Sequence, residues 1–374
     1  MGIDRRTFMK LGGAGIVGVA FASLVNGCED YSVTPLGASG APFLTPIDLF
    51  FVQNGGQGSI TQWAQPSLTQ DTWQLKIEGF AAGDVGNPMT ITYNDVVTAA
   101  QAGNEVTILK TIQCVLESPL KLTPTGFMGN AYWTGVPLKF FLDKAEVNPA
   151  VLRLLFYGAD GFTNNITYDR IINGDAQGLL QPLLVYKMNG IPLTPDHGHP
   201  IRLIVQEGYG YKNVKWLTRI QATKFDVAFG TYQDQGYVDD GIISVNSRST
   251  VIREGAALSA GKVEISGYAV SGSAPVNRVE IRIDGGSYQA AEIVPLSELS
   301  AETPLPATIK QITDSTPFPF RSVWTKWRFV WDAPAGNHAV SVRATDAAGN
   351  AQPEVDGNPF DGKTGVTTYN VTVR

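Results

Sequence analysis

The sequence predicts two domains of different class. An α+β domain with a mixed sheet is expected over residues 47–238, and an immunoglobulin-like β-sandwich over residues 239–374. Three observations predict this. A chain of 374 residues is long enough for two hydrophobic cores. Its 40 glycines and 22 prolines interrupt it often, which favours short strands and turns over long helices. Helical and strand periods alternate before about residue 235, whereas only strand alternation remains after about residue 240.

Residues 1–28 read as a targeting segment. Arg5 and Arg6 in "DRRTFMK" precede the apolar run "LGGAGIVGVAFASLV". That run is short and rich in small residues, as in the central region of a signal peptide rather than a membrane span. The arginine pair resembles a Tat signal, and Gly27-Cys28 at the end of the run resembles a lipobox. The expectation is export through Tat to a periplasmic or other extracytoplasmic face, with acyl chains on Cys28 anchoring the protein to a membrane. Residues 29–46 are rich in Gly, Ser, Pro and Ala and read as a tether.

In the first domain, "TWQLKIEGF" (72–80) alternates as a strand. "YNDVVTAAQAG" (93–103) reads as a helix, with Asn94 or Asp95 near its start and Gly103 as its stop. "VTILKTIQC" (106–114) is a strand run ending on Cys114, and "VPLKFFLDKAEV" (136–147) reads as a helix with Pro137 in its first turn. "VLRLLFYGAD" (151–160) and "PIRLIVQ" (200–206) are further strands. In the second domain, "KVEISGYAVSG", "VNRVEIRIDGG", "WTKWRFVWDA", "NHAVSVRATDAAGN" and "GVTTYNVTVR" alternate between Gly, Asn and Asp turns, the texture of a seven-strand-like sandwich. Residues 296–322 break that texture and read as a long surface loop, with a docking element as one use for it.

Composition narrows the function classes. Apolar residues make up 43% and charged residues 17%, an ordinary globular balance, and the net charge of −6 argues against a nucleic-acid surface. With Cys28 expected to be acylated, Cys114 is the remaining thiol, so no disulfide framework is expected. Cys114 could be a buried small hydrophobe, a nucleophile or a ligand. The three histidines, His197, His199 and His338, make a protease dyad or a tetrahedral zinc site a poor reading. A lone thiolate could instead complete a metal whose other ligands belong to an organic cofactor. A second cluster, "MNGIPLTPDHGHPIRLIVQEGYGYKNVKWLTRI" (188–220), gathers His197, Arg202, Lys212 and Lys215 among glycines and aromatics. It reads either as a phosphate-binding site or as a solvated basic loop.

These stretches resemble the sulfite oxidase family of molybdopterin enzymes. The resemblance rests on ordered matches: "TPIDLFFVQN", "W.L.I.G", "TIQC", "YWTGVPLKFFL", "YGADGF" and the 188–220 signature, followed by "RVEIRIDGGSYQAAEI" and "RATDAAGNAQPE". It implies molybdopterin with molybdenum as cofactor, Cys114 as the metal's thiolate ligand, and a homodimer formed through the second domain. It further implies cofactor contacts from Asn54, Asp160, His197, Arg202 and the Asn213-Val214-Lys215 segment, with Tyr237 facing the metal.

The departures from the family matter as much. Where sulfite oxidases carry an arginine, this chain has Gln53 in "QNG", and "VLESPL" follows Cys114 in place of a cationic tail. Burying a sulfite dianion without cations is costly, although Arg321 or Arg328 of the sandwich could substitute. Glu117 is either a solvated or ion-paired carboxylate or a proton-handling group. There is no haem or iron–sulfur motif, so electrons are expected to pass to or from a separate carrier, such as a c-type cytochrome or a membrane quinol oxidoreductase. The implied substrate is a small oxo-anion. The alternatives are reduction of an S-oxide such as methionine sulfoxide, and a non-catalytic, membrane-tethered accessory subunit.

Overall fold

The structure is a computed structural model that describes residues 41–55, 63–115, 127–356, 358 and 360–374. Cys28, Glu117 and the expected signal segment lie outside the described residues.

Alternation builds the first sheet. In Gln74–Gly79, Leu75 and Ile77 are fully buried while Gln74 and Lys76 face outward. The order is Met89–Thr92, Gln74–Gly79, Leu217–Thr223, Arg153–Gly158, Thr163–Thr167. Gln74–Gly79 and Leu217–Thr223 run parallel and the other pairs antiparallel, which makes this the mixed sheet expected. The helix Tyr93–Ala99 starts at a capping box in which Thr92 and Asp95 satisfy each other's backbone N–H. Gly103, at φ 92°, ends it as expected. Pro137 is the last residue of the strand Met128–Pro137, and the helix that follows is Leu138–Lys144.

The second sheet runs Val106–Gln113, Met128–Pro137, Leu183–Met188, Ile191–Pro192, with Arg202–Ile204 also pairing to Leu183–Met188. Val106–Gln113 is buried on both faces from its second residue onward. That burial includes the Lys110 side chain, whose ammonium donates to the carbonyls of Thr111, Gln206 and Gly208 at 3.1, 2.8 and 2.8 Å. Three acceptors satisfy the three donors of an ammonium, the condition under which such a group can be buried.

The later residues form two sheets packed face to face. One orders Asn246–Ser249, Gly261–Val270, Thr325–Ala333, Glu292–Ile293; the other orders Ala256–Leu258, Thr367–Val373, Gly336–Asp346, Val276–Ile283, Gln289–Ala290. The five strands read from sequence are present, joined by four short ones. Val279, Ile281, Trp327, Val340 and Val342 fill the space between the sheets.

The segment 296–322 is not a surface loop. It contains the helices Leu296–Glu302 and Lys310–Thr313 and buries Leu299, Ile309 and Phe320. The Gln311 amide accepts from Leu109 N at 3.1 Å and donates to Leu109 O at 2.8 Å, and Thr111 N donates to Ser322 O at 2.7 Å. An insertion of the sandwich therefore covers the open edge of the strand leading to Cys114, a way of protecting an unpaired edge. Isolated apolar residues without a period gave no sign of this.

Residues 41–45, expected as the end of a tether, are also packed. Phe43 is fully buried, and its carbonyl accepts from Trp324 Nε1 at 2.8 Å and from Asn130 Nδ2 at 2.9 Å. Trp324 stacks on Tyr268 at 4.1 Å, a contact worth roughly 0.5–1.5 kcal/mol beyond its buried area. The two domains share one hydrophobic core through these residues.

Candidate functional site

One cleft collects most of the residues singled out from sequence: Cys114, Asp160, His197, Arg202, Asn213, Val214 and Lys215 line it, with Gln53 and Gly55. Cys114 follows the strand Val106–Gln113 directly, and its N–H donates to Phe127 O at 2.9 Å. Beside it the chain 205–213 passes close. A methyl group at Gly210 would stand 3.3 Å from Gln113 O and 3.8 Å from Cys114 Cα. Val115, Gly210, Tyr211 and Tyr232 surround this end, and Tyr211 stacks on Tyr232 at 4.9 Å.

The other end is cationic. Gly198, at φ 98°, ends a short 3₁₀ turn after His197, and a Cβ there would lie 3.1 Å from the Cβ atoms of both Arg202 and Lys215. Glycine thus lets the backbone sit between two cations and allows a left-handed turn. Burial, then the neighbouring Arg202 and Lys215, lowers His197 to about 4, so its imidazole is neutral. Its Nε2 lies 3.2 Å from Ile47 O and its ring meets Phe50 edge-on at 5.5 Å. Burial pushes Arg202 down to about 9, and burial followed by repulsion from Arg202 pushes Lys215 to about 7. Burial raises the Asp160 carboxyl, which accepts from Phe162 N at 3.0 Å.

The hydrogen-bond partners of these cations are neutral. Arg202 donates to His197 O and Asn213 O, both at 3.0 Å, lies over the Trp133 ring at 5.1 Å, and leaves a buried Nε without a partner. Lys215 donates to Asn54 Oδ1 and to Asp196 O. Among the described residues neither makes an ion pair. Asp160 lies within electrostatic range of Lys215, but the hydrogen bonds of both cations go to amide oxygens, and positive charge held in this way suits an incoming anion. A cofactor with a phosphate at one end and a thiolate-ligated metal at the other fits this donor set.

Three placements refine the sequence reading. Asn54 reaches the site by hydrogen bonding to Lys215 and is itself buried. Tyr237 stands behind the cleft, packed on Tyr211, Tyr232 and Phe360, whereas Tyr232 lines it and is within electrostatic range of Cys114. Lys212 turns away and donates to Asn165 O at 2.8 Å on the opposite side of the 205–213 strap. Neither Arg321 nor Arg328 lines the cleft. Arg328 is held by Glu292 and Glu298 at 2.7 and 2.6 Å.

The two domains and the fold have counterparts among known proteins. The oxidoreductase molybdopterin binding domain matches residues 62–229, and the Mo-co oxidoreductase dimerisation domain matches residues 237–373. The mitochondrial sulfite oxidase of Macaca fascicularis is 27% identical over 349 residues, covering 83% of this chain and 58% of that protein. The sulfite oxidase of Arabidopsis thaliana is 25% identical over 373 residues, covering 88% of each. The crystal structure of the sulfane dehydrogenase SoxCD from Paracoccus pantotrophus shares the fold, with a TM-score of 0.68 at 21% identity over 91% of this chain and 87% of that one. Two adjoining domain matches, a shared fold and a cleft joining one cysteine to a set of buried cations lead to one conclusion: the chain belongs to the sulfite oxidase family of molybdopterin-dependent oxidoreductases, whose cofactor is the molybdenum cofactor.

Proposed function

We propose that this protein is a molybdenum-cofactor oxidoreductase acting on a small sulfur-oxo substrate, exported through Tat and anchored at Cys28. The observation that carries this reading is the convergence of Cys114 with His197, Arg202 and Lys215 on one cleft. Lys215 and Arg202 would hold the cofactor's phosphate and pterin end, with Asn54, Asp160 and the Asn213-Val214 backbone beside them. Cys114 Sγ would hold the metal. When bound, the cofactor supplies two-electron oxygen-atom transfer chemistry.

The protein's own part is orientation and proton placement. Burial, and next the nearby Cys114, raise Tyr232 well above the ordinary phenol range. Its hydroxyl stays protonated and can donate to a substrate oxygen. Among the described residues the walls beside Cys114 are Val115, Gly210, Tyr211 and Tyr232, and the cations of the cleft would stand at its phosphate end. Gln53 occupies the place of a family arginine. An uncharged S-oxide suits such walls better than a sulfite dianion, since among the described residues a dianion beside Cys114 would meet no cationic wall. Electrons would pass to or from an external carrier, a c-type cytochrome or a membrane quinol oxidoreductase, and the second domain would pair two copies into a dimer.

Two measurements test this. Protein purified from a host that makes the cofactor should carry about one molybdenum per chain, the stoichiometry of a single-thiolate site, and Cys114→Ala should remove turnover. A metal-free wild-type preparation would sink the cofactor reading and leave the accessory-subunit alternative. Dye-linked assays should show turnover of methionine sulfoxide well above that of sulfite. The reverse order would restore sulfite as substrate.

A further inference from the structure

The sandwich follows one strand edge all the way to Cys114. Val106–Gln113 pairs with Met128–Pro137 on one side. On its other side every second residue meets the second domain. Thr107 bridges to Ile309, and Leu109 is capped by Gln311. Thr111 donates its N–H to Ser322 O at 2.7 Å, and its Oγ1 accepts from Trp324 N at 2.8 Å. The last of the series is Gln113, which meets the sandwich through its side chain.

Gln113 is fully buried, and Asn246, the first residue of the sandwich strand Asn246–Ser249, is 2% exposed. Their amides bond in both directions: Gln113 Nε2 donates to Asn246 Oδ1 and Asn246 Nδ2 donates to Gln113 Oε1, each at 3.1 Å. Asn246 Nδ2 also donates to Ser244 O at 2.8 Å, which only an amide nitrogen can do, so the orientation of both amides is fixed. Ser244 N in turn donates to the Tyr209 hydroxyl at 3.2 Å, and the Tyr209 ring lies parallel to that of Tyr211 in the cleft wall, 6.4 Å away. Asn246 therefore touches the Cys114 strand directly and the facing wall through Ser244 and Tyr209.

Stability alone does not require such a pair. Two neutral amides that exchange water for each other gain little, and an apolar pair of the same shape would serve nearly as well. What reciprocal bonds add is position. Neither residue lines the cleft, yet the Gln113 backbone continues straight into Cys114. There is little slack beside it, since a methyl group on Gly210 would stand 3.3 Å from Gln113 O. A metal ligand has to be held to within about 0.5 Å by the hydrogen bonds that support it.

We propose that Gln113 and Asn246 are a positioning pair for Cys114, through which the sandwich sets where the thiolate stands, so that the metal site of the first domain depends on the second. The inference rests on the reading of Cys114 as the metal's ligand.

The test exchanges the two side chains. Gln113→Asn shortens one arm by a methylene, Asn246→Gln lengthens the other, and the double variant restores the span. In holoprotein each single variant should lose about tenfold in kcat with KM little changed, since misplacing a reacting group by ~1 Å costs up to about 100-fold. Each should also shift the paramagnetic signal of the partly reduced metal, and the double variant should regain both kcat and signal. In cofactor-free protein the urea midpoints of the single variants should not add up to that of the double, which returns toward wild type. Melting temperatures check that each variant folds, and the double variant decides where a single one does not. A folded double variant still low in kcat and shifted in signal overturns the proposal. So do single variants with wild-type kcat and signal, whatever their stability. Absence of molybdenum from wild type would fail the cofactor reading itself, a different result from a loaded wild type whose variants show no rescue.

Discussion

The two domains treat charge in opposite ways. In the cofactor domain Asp84, Lys110, Arg170, Arg202, Glu207 and Lys212 are buried, and Lys215 is partly so. In the sandwich the buried charges are Arg248 and Asp346, and Asp346 is spent on holding Ser271 and Asn350. Others pair near the surface, Arg343 with Glu280 and Arg282 with Glu354, each at 2.9 Å. Exposed pairs of this kind contribute about 0–1 kcal/mol, whereas an uncompensated buried charge costs several. A fold that only needed to be stable would place its cations as the sandwich does. Arg170 and Glu207 pair with each other and Lys110 has its three carbonyls, so the buried cations of the cofactor domain left as a receptor for an incoming anion are Arg202 and Lys215, which line the cleft.

The sharpest way to break that contrast is to remove one cation from each domain. Lys215→Met should lower cofactor affinity by about 10- to 100-fold, the loss of one hydrogen bond to a charged group. The cofactor-free variant should be as stable as wild type or more so, because an uncompensated ammonium is gone. Arg328→Met should leave molybdenum content unchanged and cost no more than about 1 kcal/mol. Metal analysis and urea unfolding of both variants, with and without cofactor, read these outcomes. If Lys215→Met destabilises the cofactor-free protein, the lysine is a structural element and the contrast fails.

A smaller effect separates two tyrosines. Tyr232→Phe should lower kcat about tenfold, the worth of one hydrogen bond to the reacting oxygen, with little change in stability. Tyr237→Phe should stay near wild-type kcat, since Tyr237 packs behind the cleft. Equal losses in the two variants would mean that the aromatic cluster acts as a unit and that neither hydroxyl meets substrate.

Tyr232 and Tyr237 also show where the sequence stops being legible. Both lie in "TYQDQGY", and which one reaches the cleft depends on the turn between them, where Gly236 adopts φ 93°. Cys114 was legible because it is the lone thiol of the folded domains, and His197 with Arg202 because their spacing sits in a glycine-rich signature. Lys212 and Lys215 look alike in "YKNVK", yet the strap aims them into different cavities. Lys110 sits in a run that reads as plain strand, and two of the three carbonyls that make its burial tolerable, those of Gln206 and Gly208, are supplied by that strap. The Gln311 cap on Leu109 joins residues 202 apart in the chain, a contact no local pattern announces. Local period carried the strands, while long-range acceptors decided which charges are inside.

The smallest expected effect is in the pH dependence of stability, and it tests the same buried cations together. Burial is the first cause of the lowered values of Lys110, to about 7, Lys212, to about 8, and Lys215, to about 7. In the unfolded chain each lysine holds its proton up to about 10.4. Between pH 7 and pH 9, then, the unfolded state binds more protons than the folded one, and stability rises with pH. The ceiling is about 1.4 kcal/mol per pH unit for each lysine that titrates fully, with less where water reaches the group. Above about pH 10 the sign reverses. Burial raises Tyr209, Tyr211 and Tyr268, so the folded state keeps phenol protons that the unfolded chain loses. Cofactor binding should set an anion beside Lys215, restore its proton and flatten the rise between pH 7 and 9 by up to one lysine's share. Urea unfolding at pH 7, 8 and 9, with and without cofactor, measures both slopes. A cofactor-free protein whose stability is flat or falling over that range would show that its buried lysines keep their charge unaided, and the receptor reading of the cofactor domain would lose its energetic basis.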